Sequence, residues 1–125
     1  MKERVLVAED DDALRRMIAG VLVRAGYQVI EAANGADALD ILGDALLAPP
    51  HKGPQIVITD VRMPYVTGLQ LLTSLRELAI PTIIVTAFPD DRTRELARKL
   101  GAFAVLAKPF ELDTLLRAVS ALRGY

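Results

Sequence analysis

The chain has no cysteine and a single histidine, His51. Disulfides and thiolate zinc sites are therefore excluded. Charge of one sign is also lacking: 15 basic residues face 16 acidic ones, for a net charge of −1. That balance gives no electrostatic case for binding nucleic acid or an anionic membrane. The opening Met1-Lys2-Glu3-Arg4 leads into a short apolar run that is broken by acid at Glu9. This is neither a secretory signal nor a membrane span, and the chain is expected in the cytoplasm. Internal repeats and low-complexity tracts are absent as well.

What is present suffices for one core. The 125 residues fit a single domain spanning 1–125, and a hydrophobic content of 52% argues against disorder. The most informative stretch is Ile56-Val57-Ile58-Thr59-Asp60-Val61-Arg62-Met63-Pro64. Its unbroken apolar run reads as a strand buried on both faces, as in a parallel sheet. Pro64 cannot continue the ladder, so the strand should end near Asp60. Taken alone, Asp60 is at least as well explained as an ordinary solvated strand end.

The rest of the chain gives it company. Val5–Ala8 predicts an earlier buried strand ending at four successive acids, Glu9 to Asp12, which repel one another unless solvated or neutralised by a cation. Leu14, Met17, Ile18, Val21 and Leu22 recur at helical spacing over Ala13–Ala25, with Asp11 or Asp12 as N-cap and Gly26 as stop. Tyr27–Ala32 alternates like a less covered strand, suited to a sheet edge. Asn34-Gly35 signals a turn, and Ala36, Leu39, Ile41, Leu42 and Leu46 favour a second helix. Three prolines and a glycine make Ala48–Pro54 a loop. Thr67 is a good N-cap for a helix carrying Leu69, Leu71, Leu72, Leu75 and Leu78. Thr82–Thr86 predicts a fourth strand, and Arg92–Leu100 a polar helix with Leu96 and Leu100 on its apolar side. Phe103–Ala107 predicts a fifth strand, and Leu112, Leu115, Leu116, Val119 and Leu122 a last helix. Five strand–helix repeats call for a parallel α/β sheet with helices on both faces. Periodicity does not reveal the strand order.

In such a sheet the carboxyl ends of the strands share one rim, where active sites lie. Glu9 and Asp10, Asp60, Thr86 and Lys108 all fall at strand ends, so they are expected to converge. Three carboxylates and one ammonium carry a charge of −2 between them, which one divalent cation would cancel. With no His or Cys in the set, Mg2+ suits it better than zinc or copper. An aspartate can act as nucleophile toward a phosphoryl group, and that transfer demands partners for the phosphoryl oxygens. Mg2+, the Lys108 ammonium and the Thr86 hydroxyl would supply three. Each residue alone has an ordinary explanation as cap, β-former or solvated charge; it is their joint occurrence that points to chemistry.

Val5-Leu6-Val7-Ala8-Glu9-Asp10-Asp11, Ile58-Thr59-Asp60-Val61-Arg62-Met63-Pro64 with Gly68 following, Ile84-Val85-Thr86-Ala87, and Lys108-Pro109-Phe110 together resemble the response-regulator receiver domain of two-component signalling. The resemblance spans nearly the whole chain. It implies a flavodoxin-like (βα)5 three-layer sandwich with strand order 2-1-3-4-5. By position it makes Asp60 the phospho-acceptor, and Glu9, Asp10, Asp60 and the Arg62 backbone carbonyl the metal ligands. Thr86 becomes the switch hydroxyl, Lys108 the phosphate-contacting lysine, and Lys108-Pro109 a cis bond. The implied partners are a histidine kinase or phosphotransfer protein and a downstream effector domain or protein, with relay through the fourth helix, fifth strand and fifth helix. Homodimer formation is left open.

Some positions depart from the family pattern. Glu9 stands where aspartate is commoner, and Val105 where many relatives carry an aromatic that moves with the switch hydroxyl. Phe103 sits two residues from Val105 on the same strand face and either widens an apolar partner surface there or packs under the last helix. Tyr65 replaces a commoner small residue. His51 lies in the proline-rich loop, so the donor histidine is expected from another protein. Two rival readings stand beside the switch. A phosphatase would commonly need a second aspartate where Arg62 stands, so the chain is not expected to be an enzyme beyond its own phosphorylation and dephosphorylation. A degenerate receiver acting only as an interaction or dimerisation module draws slight support from Glu9 and Val105.

Overall fold

The computed structural model describes residues 3–47, 53–62, 66–87 and 90–122, the Leu46 side chain excepted. Strands and helices alternate: β1 (Arg4–Ala8), α1 (Asp12–Arg24), β2 (Gln28–Ala32), α2 (Gly35–Leu47), β3 (Ile56–Asp60), α3 (Gly68–Glu77), β4 (Thr82–Thr86), α4 (Asp91–Lys99), β5 (Ala104–Ala107) and α5 (Leu112–Ala121). The strands form one parallel sheet of order β2-β1-β3-β4-β5. The more polar β2 is indeed at an edge, while β3 and β4 are buried along their full length. β5, the other edge, starts at Ala104 rather than at Phe103.

Strand alternation divides the core into two sides. Val5, Val7, Ile56, Ile58, Ile83 and Val85 pack with Ile18 and Leu22 of α1 and with Leu115 and Val119 of α5. Leu6, Ala8 and Val57 face the opposite way, onto Ala38 and Leu42 of α2 and Leu71 and Leu75 of α3. Ile84 completes that second face with Leu72 of α3 and Ala97 of α4. Each fully buried Leu or Ile contributes about 1.5–3 kcal/mol from its removal from water.

Local chemistry sets the helix boundaries. Asp11 caps α1 by accepting from the Leu14 amide, Thr67 and Gln70 form a reciprocal capping box on α3, and Asp90 caps α4 through the Thr93 amide. Gly26 and Gly101 leave α1 and α4 with φ of +101° and +93°, a region that favours glycine. Two helix faces differ from the sequence expectation. In α1 the buried stripe is Arg15, Ile18, Ala19 and Leu22, and Met17 is half exposed. In α4 it is Ala97 that is buried, whereas Leu96 is exposed. Most of the proline-rich loop with His51, together with Met63, Pro64 and Tyr65, lies outside the described residues. No helix among the described residues is long and apolar enough to cross a membrane.

Candidate functional site

The polar residues at the strand ends meet on the carboxyl rim. Asp60 is the last residue of β3 and Thr86 the last of β4; Glu9 directly follows β1, and Lys108 directly follows β5. Parallel pairing of β1 with β3, β3 with β4 and β4 with β5 brings these ends to one level. The Lys108 ammonium donates to Glu9 Oε1 and Asp60 Oδ2, at 2.5 Å each. One oxygen each from Glu9, Asp10 and Asp60 lies within 4.8 Å of the others. This spacing fits a single oxygen-coordinated cation, and a carboxylate-only donor set suits a hard ion.

The remaining oxygens are held by backbone. The Asp11 amide donates to Glu9 Oε2 at 3.1 Å, and the Arg62 amide to Asp60 Oδ1 at 3.1 Å. The extra methylene of Glu9 has not carried its carboxylate out of the site; the residue is buried and bonded at both oxygens. Asp60 keeps 9% of its side-chain surface open, next to the exposed Asp10. Thr86 is fully buried, with its carbonyl accepting from the Lys108 amide at 2.7 Å, and the Lys108-Pro109 bond is cis.

The electrostatics follow from this crowding. Burial pushes the Glu9 carboxyl up to about 7; Lys108 and the Asp11 amide pull it back, and Asp10 and Asp60 push it further. Burial alone would lower the Lys108 pKa, but Asp60 and Glu9 outweigh it and hold the ammonium above its ordinary value. One ammonium does not neutralise two carboxylates, so the pocket retains an appetite for positive charge.

Glycine permits two close backbone contacts, one of them against the site. A Cβ on Gly68 would stand 2.1 Å from the Asp60 carbonyl oxygen, and the Gly68 amide donates to the Val61 carbonyl at 2.9 Å. Gly35 similarly abuts the Val66 carbonyl. Beside Lys108 opens a mostly apolar cavity of about 550 Å3, lined in part by Leu14, Met17, Pro109 and Phe110.

The two residues of the expected partner face lie on β5 and just before it. Val105 pairs in register with Ile84 and packs on the α3–α4 side. Phe103, 40% exposed, borders a groove with Arg76, Ile80, Pro81 and Ala102. Ala104 and Leu106 are the β5 residues that face the α5 side. The sequence reading missed Arg15, whose Nη1 donates to the Glu9 carbonyl at 2.9 Å. Its signal was there: positions 15, 18, 19 and 22 make an unbroken helical stripe.

The sequence model described as "Response regulator receiver domain" matches residues 5–120. Sporulation initiation phosphotransferase F of Bacillus subtilis is 31% identical over 121 residues, covering 95% of this chain and 92% of that protein. The transcriptional regulatory protein PdtaR of Mycobacterium tuberculosis is 37% identical over 118 residues, or 93% of this chain. The chain spans only 54% of PdtaR, and 23% of the Escherichia coli regulatory protein AtoC. Among solved structures, a response regulator receiver domain protein from Clostridium thermocellum superposes with a TM-score of 0.86 at 27% identity, covering 98% of this chain and 94% of that one. The Vibrio cholerae chemotaxis protein CheY4 does so with a TM-score of 0.83 at 28% identity, covering 98% and 99%.

Proposed function

The chain belongs to the response-regulator receiver family, which implies phosphorylation-dependent signalling, and from that premise we propose that it is a switch whose phospho-acceptor is Asp60. The observation that carries this reading is the Lys108 ammonium seated between Asp60 and Glu9 at the mouth of an acidic cluster. Asp60 Oδ2 attacks the phosphorus of a phosphohistidine or a small acyl phosphate. A new P–O bond forms, the bond to the imidazole nitrogen or acyl oxygen breaks, and the leaving group takes the electron pair. Lys108 then moves its hydrogen bond from the carboxylates to a phosphoryl oxygen, and the Thr86 hydroxyl takes another. Glu9, Asp10, Asp60 and the Arg62 carbonyl would hold Mg2+, which offsets charge on the phosphoryl oxygens.

The conformational relay runs through α4, β5 and α5. Ala97 is the one buried residue of α4, so that helix is weakly held and inexpensive to shift when Thr86 moves. The apolar cavity beside Lys108 gives a donor protein, a histidine kinase or phosphotransfer protein, a surface to seat against. The output is a downstream effector domain or protein.

Intact-mass measurement after incubation with Mg2+ and acetyl phosphate tests the reading. Wild type should gain one phosphoryl group that is slowly lost, and Asp60→Asn should gain none. No adduct on wild type would leave only an interaction module; rapid multiple turnover would indicate a phosphatase.

A further inference from the structure

We propose that Arg15 is a positioning residue for the divalent-cation site, acting through the Glu9 backbone. This rests on the reading of Glu9 and Asp10 as metal carboxylates. Arg15 is a cation on the buried stripe of α1, where an uncompensated charge is costly. Three elements supply its partners. Nη1 donates to the Glu9 carbonyl at 2.9 Å and pairs with Asp12 Oδ1 at 2.7 Å, while Nε pairs with Glu31 Oε1 of β2 at 3.2 Å. The Glu9 amide in turn donates to the Ala32 carbonyl at 3.0 Å.

The peptide joining Glu9 to Asp10 therefore carries a guanidinium on its oxygen, and the preceding peptide is pinned to the edge strand. That fixes the plane from which the two carboxylates project. Outer partners that orient metal ligands in this way typically govern affinity by 10–100-fold. Removing the donors leaves Asp12 and Glu31 solvated, with side chains 66% and 42% exposed, so neither is stranded in the interior. The cost should fall on the site more than on the fold.

Arg15→Met keeps the apolar stem and deletes the donors; Arg15→Lys keeps the charge but not the fork. Mg2+ binding is read by calorimetry, and the rate of the acetyl phosphate reaction is followed against Mg2+ concentration. For Arg15→Met the half-saturating Mg2+ should rise about tenfold, with the rate at saturating Mg2+ within about threefold of wild type, and Arg15→Lys should fall between the two. Arg98→Ala, which removes an exposed pair with Glu95 on α4, should leave the half-saturating Mg2+ unchanged. Wild-type Mg2+ affinity in either Arg15 variant overturns the inference, as does an equal loss in Arg98→Ala. Should Arg15→Met not fold, judged by circular dichroism, Arg15→Lys alone decides. A wild-type protein that neither binds Mg2+ nor forms an adduct would instead defeat the underlying functional reading.

Discussion

Glu9 and Lys108 are 99 residues apart in sequence, yet their side chains meet at 2.5 Å, with Asp60 completing the contact from the strand between them. A single ammonium thus stands where two carboxylates would otherwise repel each other. The same ammonium sits where it would compete with any cation drawn to these carboxylates.

Lys108→Ala should separate those roles. Without divalent cation the variant should lose about 2 kcal/mol, between the values for exposed and buried pairs. Protonation of Glu9 limits the damage. Added Mg2+ should then stabilise the variant more than wild type, because no ammonium has to be displaced. Urea unfolding with EDTA and with Mg2+ measures both. Equal Mg2+ increments in the two proteins would contradict this account.

Acid should strengthen the metal-free protein. Glu9 titrates near 7 when folded and near 4.5 in the unfolded chain, so between those values the folded state binds more protons. The contribution is fully present below 4.5 and is lost as pH rises through 7, by about 3 kcal/mol at most. Urea midpoints in EDTA should fall across that window, and Glu9→Gln should flatten the slope. Mg2+ must displace the same proton, so its apparent affinity should climb with pH and level off above 7. An affinity that is flat between pH 5 and 8 would contradict the assignment of Glu9 to the site.

Two glycines in helices should respond oppositely to alanine. Gly68→Ala drives a methyl into the Asp60 carbonyl and should destabilise by about 1–3 kcal/mol, with slower adduct formation. Gly20→Ala meets nothing within 4 Å and should stabilise α1 by about 0.5–1 kcal/mol. Thermal unfolding distinguishes them, and a Gly68→Ala protein as stable as wild type would show that α3 can retreat from the strand end at little cost.

Thr86→Ala should still accept a phosphoryl group on Asp60 yet fail to transmit it. Hydrogen exchange along α4 should change on phosphorylation of wild type and stay constant in the variant. A normal exchange response in Thr86→Ala would remove the buried hydroxyl from the switch.

Most of the architecture was legible because strand burial and helix capping are local signals. Val5–Ala8, Ile56–Asp60 and Thr82–Thr86 advertise both-face burial by their β-branched runs, and Asp11 and Thr67 mark helix starts through a side-chain oxygen. Strand order is a non-local property; it came from the resemblance, and the sheet has that order. The errors fell where residue character conflicts with location. Met17 is apolar but turned outward, whereas Arg15 is charged but buried because three partners converge on it. Ala97 rather than Leu96 seats α4, since a small residue allows that helix to approach Ile84 and Leu72 closely. The convergence of Glu9, Asp10, Asp60 and Lys108 could be anticipated from the sequence because they stand at or just after strand ends. The bridging of Glu9 and Asp60 by one amine could not, since it depends on side-chain reach.

Because the ends of the first, third and last strands each supply one member of the charged trio, no fragment can carry a weakened copy of it. A half-folded molecule still carries Lys108, Asp60 and Glu9 but does not bring the three together. If Asp60 is the acceptor proposed above, labelling at position 60 would then count intact molecules, and loss of tertiary order would end labelling at once rather than by degrees.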